Sequence, residues 1–274
     1  MKNPSTEELK TLQLFAERTA IEAGKILLRY KAKAKVVTRK TDFHDVATEA
    51  DIASEKFILG EISRHYPGHS VLAEESGQSS QSSQYTWIID PLDGTKEYVR
   101  GLNTYNVSIA LEYRGGIVAG TVYKPETRET YFAGRGLGVR YNGRKVHCSQ
   151  VSSLKDSHVY THLPKYNDTE SDRKKSLSML EMVVSHAHRV RTLADDVISL
   201  AYIAQGASEG FYLISTFPKW WDVAAGILMV EEAGGKVTDM YGKPIKNRDL
   251  SKGIVASNGK IHEELLKIIN GVLV

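Results

Sequence analysis

The sequence has one cysteine, Cys148, among 274 residues. A single thiol excludes an intramolecular disulfide and a zinc site built from several thiolates. No apolar run approaches the roughly 18 residues that a membrane-spanning helix needs, and the polar residues 1–5 contain no apolar signal region. We therefore expect no membrane partner and a cytoplasmic location.

An excess of charge of one sign is also lacking. The formal net charge is only +3, which does not indicate nucleic-acid binding without a focused patch. The basic run from Lys31 to Lys40 is typical of a solvated connection. We predict no nucleic-acid partner and an anionic small-molecule substrate. The length suits one compact catalytic unit of two halves, residues 1–145 and 146–274.

Hydrophobic spacing predicts a mixed α/β protein with stacked helix and sheet layers. Ser5–Glu8 reads as a capping box that opens a first helix. Thr48 and Asp51 open a second helix, and Gly77–Gln84 predicts a mobile loop. The second half alternates strands with helices, including one that begins near Ser176. The predicted apolar face of the second helix contains Ile52, Phe57, Ile58 and Ile62.

The most informative stretch is an apolar strand that runs into two carboxylates. Asp90 and Asp93 follow Trp87–Ile89, on a turn that Pro91 and Gly94 shape. Two such carboxylates repel each other unless a cation lies between them, and Mg²⁺ is bound by oxygen ligands of this kind. The alternative is an Asx-type turn, in which each aspartate bonds a local backbone N–H. The stretch alone leaves both interpretations open.

Three further acidic segments accompany this stretch, at residues 45–51, 71–77 and 220–226. The four segments, in this order, resemble the inositol monophosphatase family of magnesium-dependent phosphomonoesterases. The resemblance extends from about Lys40 to about Asp239. It implies a five-layer αβαβα sandwich like that of inositol monophosphatase and fructose-bisphosphatase, a homodimer, and inhibition by lithium.

The resemblance also implies roles for individual residues. Two or three Mg²⁺ ions, or Mn²⁺ as a substitute, are expected at a metal site. The implied metal ligands are Glu74, Asp90, the backbone carbonyl of Leu92, Asp93 and Asp222. The implied catalytic residues, which orient and deprotonate a water, are Glu74, Thr95 and Asp51. The resemblance places the phosphate at the backbone N–H groups of Gly94 and Thr95. The further predicted substrate-binding residues are Asp93, Asp195 and Lys96, which flanks the site in sequence.

Simpler interpretations stay open for two of these carboxylates, since Asp222 could be a helix N-cap and Asp51 could only complete a capping box with Thr48. The substrate is the least determined feature. Tyr212 stands where inositol-specific members carry a glutamate, and Ala194-Asp195 replaces a common Gly-Ser or Gly-Thr pair. We expect a small polyol or sugar phosphate, inositol 1-phosphate first. The alternatives are a 3′(2′),5′-bisphosphate nucleotidase, a fructose-1,6-bisphosphatase, or an inactive regulatory protein that binds phosphate ligands.

Overall fold

The computed structural model describes residues 4–31, 36–39, 46–79, 81–193, 195–214 and 218–273. The chain divides into two compact units, Met1–Lys145 and Val146–Val274. Seven α-helices lie in the described residues: α1 (Thr6–Lys31), α2 (Glu49–His65), α3 (Thr95–Val99), α4 (Glu170–Val184), α5 (Asp196–Gln205), α6 (Trp220–Glu232) and α7 (His262–Leu273). None of them is both long and apolar enough to cross a membrane.

The described strands fall into three sheets. Their bounds are β1 (Val36–Arg39), β2 (Val46–Thr48), β3 (Ser70–Ala73), β4 (Gly77–Gln78), β5 (Tyr85–Asp93), β6 (Asn106–Tyr113), β7 (Gly116–Lys124), β8 (Glu129–Gly134), β9 (Gly138–Tyr141), β10 (Arg144–Val146), β11 (His158–Thr161), β12 (Arg189–Arg191), β13 (Gly210–Leu213), β14 (Lys236–Thr238) and β15 (Ile254–Ser257).

The first unit contains an eight-stranded sheet in the order β10-β9-β8-β7-β6-β5-β3-β4 and the small β1-β2 pair. Strands β3 and β5 are parallel, whereas β5 to β9 pair antiparallel in sequence. Helices α1 and α2 pack against each other and against this sheet. Their core is apolar, with Leu27, Ile58, Trp87, Ile89 and Leu111 fully buried.

Two predictions about this unit need correction. The predicted mobile loop Gly77–Gln84 begins instead with β4, because Gly77 and Gln78 pair with the end of β3; Ser80 lies outside the described residues. The predicted apolar face of α2 is also wrong in part, since Ile52 is 45% exposed. The buried residues of α2 are Ala50, Asp51, Ser54, Glu55, Ile58 and Ile62.

The second unit contains a five-stranded sheet in the order β12-β11-β13-β15-β14. Strand β11 is parallel to β12 and β13, and β15 is antiparallel to β13 and β14. Helices α4 and α7 share an apolar core with this sheet, in which Met179, Val183 and Leu265 are buried. Helix α4 begins at Glu170, earlier than predicted, because the Thr169 hydroxyl accepts the N–H of Asp172 as an N-cap.

Helices α5 and α6 approach so closely that Gly226 has no room for a side chain. A Cβ built at Gly226 would lie 2.6 Å from Leu200 Cβ. Because Leu200 Cβ is fixed to the backbone of α5, it cannot rotate away. This close contact accounts for a glycine inside α6, where glycine is otherwise unfavourable.

We expect Gly226→Ala to destabilise the protein by about 1–3 kcal/mol, because the methyl group forces α5 and α6 apart. The matched control is Gly60→Ala in the interior of α2, where no atom lies within 4 Å of the added Cβ. That change should stabilise by up to about 1 kcal/mol, since alanine is the better helix former. Urea unfolding of both variants measures the difference. Equal stability of the two variants would contradict the close contact.

Candidate active site

The acidic stretch lies inside β5, at a β-bulge rather than at the turn that the sequence predicts. Asp90 pairs with Ser108 and Asp93 pairs with Asn106, so Pro91 and Leu92 together face one residue of β6. Residues two apart on β6 share a face of the sheet, and their partners share it with them. The bulge therefore brings Asp90 and Asp93, three positions apart, to the same face.

Each of these two carboxylates accepts a hydrogen bond from an uncharged donor. The Leu92 N–H donates to Asp90 Oδ1 over 3.1 Å, which is the Asx-type turn considered from the sequence. The Asn106 side-chain amide donates to Asp93 Oδ2 over 2.9 Å. Asp90 is 2% exposed and Asn106 is fully buried. These local hydrogen bonds orient both aspartates.

Glu74 comes next to this bulge through the parallel pairing of β3 and β5. Ala73 pairs with Ile89, and the Glu74 N–H donates to the Ile89 carbonyl over 3.1 Å. Continuing the register by one residue sets Glu74 beside Asp90. The predicted candidates Glu74, Asp90 and Asp93 thus lie at one edge of the site.

Asp51 reaches the bulge from the N-terminus of α2. Its Oδ2 accepts the Thr48 backbone N–H over 2.8 Å and the Thr48 hydroxyl, which completes a capping box. Its Oδ1 lies 2.9 Å from the Thr95 hydroxyl oxygen. The capping interpretation of Asp51 is therefore confirmed. The contact with Thr95 is the one that the active-site interpretation expects, and the catalytic role of Asp51 stays a prediction. Burial raises the pKa of Asp51, the hydrogen bonds from Thr48 and Thr95 oppose the rise, and the charge of Glu74 adds to it.

The Thr95 hydroxyl lies between two acceptors. Its oxygen is 2.9 Å from Asp51 Oδ1 and 2.9 Å from the Leu92 carbonyl. A threonine hydroxyl has one hydrogen and donates it to one acceptor at a time. The hydroxyl hydrogen of Thr95 is therefore within reach of both the Asp51 carboxyl group and the Leu92 carbonyl.

Helix α2 also forms hydrogen bonds to the backbone of β5 and of the segment after β3, through two side chains that the sequence did not predict. The Ser54 hydroxyl donates to the Pro91 carbonyl over 2.9 Å, and Glu55 Oε2 accepts the Glu75 N–H over 2.9 Å. Asp51, Ser54 and Glu55 have the spacing i, i+3 and i+4, which places them on one helix face. That spacing was the available signal, but polar residues on a helix usually indicate a solvent-facing side.

The remaining predicted site residues are Lys96, Asp195 and Asp222. Lys96 is exposed, and its carbonyl accepts the Arg100 guanidinium over 2.9 Å. Asp222 and Asp195 belong to the second unit. Asp222 is the third residue of α6 rather than its N-cap, and its Oδ2 accepts the Lys219 N–H over 2.7 Å. Asp195 precedes α5 and is 5% exposed.

Tyr212, which the family resemblance places where inositol-specific members carry a glutamate, is buried. It is 2% exposed and belongs to the apolar core between the second sheet and the helices α4 and α7. The sequence also gave no sign of a buried pair near Asp195. His162 Nε2 lies 3.1 Å from Asp196 Oδ1. Burial lowers the pKa of His162 and raises that of Asp196.

The donors at the bulge fit a hard divalent cation by their chemistry. They are carboxylate oxygens and a carbonyl oxygen, which are the ligands that Mg²⁺ takes. In the ranges that the structure describes, no three Asp, Glu, His or Cys side chains are close enough together to hold a metal ion. Asp90 and Asp93 nevertheless lie on the same face of the sheet.

Residues 8–273 match the sequence model described as the inositol monophosphatase family. The chain belongs to the inositol monophosphatase family. A relative from Thermotoga maritima, named fructose-1,6-bisphosphatase/inositol-1-monophosphatase, is 32% identical over 94% of this chain and 96% of its own. A Pseudomonas aeruginosa relative named Nus factor SuhB is 35% identical over 93% of this chain and 94% of its own.

Solved structures confirm the predicted fold class. The crystal structure of the extragenic suppressor protein SuhB from Bartonella henselae superimposes with a TM-score of 0.83, at 35% identity, and covers 92% of this chain and 95% of that one. The family and the phosphatase relatives show that the chain is a phosphoric monoester hydrolase. Members of this family depend in general on a metal ion, Mg²⁺.

Proposed function

We propose that the chain is a Mg²⁺-dependent phosphomonoesterase of small polyol or sugar phosphates, with inositol 1-phosphate as the first candidate. The observation that carries the metal chemistry is the contact of Thr95 with both Asp51 and Leu92 beside the acidic bulge. Through this contact, the buried carboxyl group of Asp51, which can accept a proton, lies next to oxygen atoms that can bind a metal ion. Metal-assisted hydrolysis needs both kinds of group.

The residues that would hold the metal are Glu74, Asp90, Asp93 and the Leu92 carbonyl. When bound, Mg²⁺ neutralises phosphoryl oxygens and lowers the pKa of a water. Asn106 and the Leu92 N–H donate hydrogen bonds to Asp93 and Asp90, whose positions in β5 lie on the same face of the sheet. The further ligand that the family resemblance implies, Asp222, stays a prediction, as do the number of metal ions and the use of Mn²⁺.

Thr95 and Asp51 would take up the proton of the attacking water. The water gives its proton to Thr95 Oγ1 while Thr95 passes its own hydrogen to Asp51 Oδ1, 2.9 Å away. The resulting hydroxide forms the new P–O bond, and the ester P–O bond breaks. The leaving alkoxide takes a proton from solvent. Burial of Asp51 supports the role of acceptor, because it raises the pKa of this carboxyl.

The backbone N–H groups of Gly94 and Thr95 are proposed to bind the phosphate. Gly94 has a left-handed backbone, with φ of 88°, and immediately precedes α3. This conformation turns the chain out of β5 directly into a helix, so that successive N–H groups point in a common direction. Asp93, Lys96 and Asp195 stay predicted substrate contacts.

A polyol monophosphate is preferred over a bisphosphate because of the basic residues near the bulge. Lys96 and Arg100 are exposed, and Arg100 is tied to the carbonyl of Lys96. Exposed lysine and arginine are ordinary surface residues and bind a second phosphate weakly. The neutral hydrogen-bonding residues around the acidic bulge suit hydroxyl groups instead.

A second candidate function comes from the relatives named Nus factor SuhB. Such a role acts through a macromolecular partner and does not require turnover. The mild net charge of +3 argues against a large electrostatic contribution to nucleic-acid binding. A salt-dependent gel shift with RNA or DNA would support this candidate.

Turnover of a small phosphate monoester should require added Mg²⁺ and stop with a chelator. Asp93→Asn should keep the fold but lose most activity, because it removes a charged oxygen donor. Steady-state assays across a Mg²⁺ series, with circular dichroism as the control for folding, measure both effects. Chelator-resistant turnover at an equal rate would contradict the metal chemistry. An absence of turnover with every substrate, with phosphate ligands still bound, would favour the inactive binding protein.

Thr95→Ala should lower kcat by about 10²–10⁴-fold, because it removes the group that transfers the proton. Thr95→Ser is the matched control, since it keeps the hydroxyl, and it should stay within about tenfold of the original kcat. The Mg²⁺ concentration that gives half-maximal activity (the Mg²⁺ half-saturation) should change by a smaller factor than kcat in both variants. A Thr95→Ala variant with nearly full kcat would contradict the proposed role of Thr95 in proton transfer.

Inositol 1-phosphate should give a higher kcat/KM than adenosine 3′,5′-bisphosphate or fructose 1,6-bisphosphate at equal Mg²⁺. A site with polar partners discriminates strongly between substrates that satisfy them and substrates that do not. A tenfold preference for adenosine bisphosphate, about 1.4 kcal/mol of transition-state stabilisation, would replace the first candidate. Neutralising Lys96 and Arg100 should then reduce activity mainly on the bisphosphate.

Homodimer formation, inhibition by lithium and the cytoplasmic location stay predictions that follow from the family resemblance and the composition.

A further inference from the structure

Glu55 is a buried carboxylate on α2 that the proposed reaction does not use. Glu55 is 4% exposed. The hydrogen bond described for its carboxylate joins Oε2 to the backbone N–H of Glu75 over 2.9 Å. Burying an ionised carboxylate is costly unless polar groups compensate it. A glutamate at this position therefore requires a reason beyond packing.

The position of the accepted N–H supplies that reason. It belongs to the peptide that links Glu74 to Glu75. On the other side, the N–H of Glu74 itself donates to the Ile89 carbonyl of β5 over 3.1 Å. The backbone of Glu74 is thus held from two directions, by β5 before its Cα and by α2 after it. Release of either contact would free the Glu74 side chain to move relative to Asp90.

We propose that Glu55 is a positioning residue that fixes Glu74 for metal binding through its hydrogen bond to the Glu75 N–H. This proposal rests on the proposed function, because it takes Glu74 as a metal ligand. The bond acts through geometry rather than through the charge of Glu55. Groups that orient metal ligands in this way commonly contribute about 10–100-fold to metal affinity.

Two substitutions separate the bond from the charge. Glu55→Gln keeps an acceptor oxygen at the same reach and removes the charge. Glu55→Asp keeps the charge but is one methylene shorter, so that it cannot reach the Glu75 N–H. Glu55→Asp should raise the Mg²⁺ half-saturation about tenfold or more, and Glu55→Gln should raise it by less than about threefold.

The half-saturation is measured from the Mg²⁺-dependent rise in melting temperature, which does not require turnover, and independently from activity. Glu61→Gln is the control, because Glu61 lies on the same helix and pairs with Arg64 and His65 instead. It should leave the half-saturation unchanged. A purely structural role of Glu55 would lower the melting temperature without Mg²⁺ and leave the half-saturation unaltered.

The outcomes are distinct. Weak Mg²⁺ binding by Glu55→Asp together with near-normal binding by Glu55→Gln supports the proposal. Normal binding by Glu55→Asp, or equal weakening in both variants, overturns it while the proposed function stands. A wild-type protein that neither responds to Mg²⁺ in melting nor needs Mg²⁺ for turnover overturns the proposed function and this inference together.

Discussion

One mismatch in strand pairing determines the geometry of the site. Between Asp90 and Asp93, two residues of β5 face one residue of β6. Without this bulge, side chains three positions apart would point to opposite faces of the sheet. With it, both aspartates join Asn106 on the same face, and Glu74 reaches them along the parallel partner strand. Three acidic residues that the sequence predicts as metal ligands are thereby placed at adjacent strands of one sheet.

The bulge also leaves backbone carbonyls that require hydrogen-bond donors, and α2 supplies one of these donors. A bulge interrupts the regular ladder of backbone hydrogen bonds, and the carbonyls of Pro91 and Leu92 accept hydroxyl groups from Ser54 and Thr95 instead. Proline suits this position because a bulge does not require its missing N–H. The buried polar face of α2 therefore supports the bulge from the neighbouring structural layer.

Local patterns in the sequence predicted much of this arrangement. The capping box at Thr48 and Asp51, the strand before Asp90 and the acidic residues themselves depend on neighbours in sequence. The bulge depends on β6, whose register a local pattern does not contain. The polar face of α2 was misread because Ile52 fitted a simple apolar stripe, whereas the loops that contact Ser54 and Glu55 come from elsewhere in the chain.

The second unit shows the same limit. Its helices were predicted from their spacing, but the start of α6 at Trp220 moved Asp222 from the N-cap to the third helical position. The inward direction of Tyr212 and the contact of His162 with Asp196 depend on which face of β13 is covered and on the approach of distant segments. Sequence spacing alone does not define either feature.

The bulge has a consequence for how this region can vary over evolution. Loss of either Pro91 or Leu92 would restore regular pairing with β6 and leave Asp93 opposite Asn106, but it would remove one of the two carbonyls that accept the Ser54 and Thr95 hydroxyls. An added residue would enlarge the bulge and displace the positions that follow, including Gly94 and Thr95. Side chains within the stretch can be exchanged one at a time, but its length cannot change without dismantling the site. Related enzymes that keep this chemistry should therefore carry insertions and deletions outside residues 90–95.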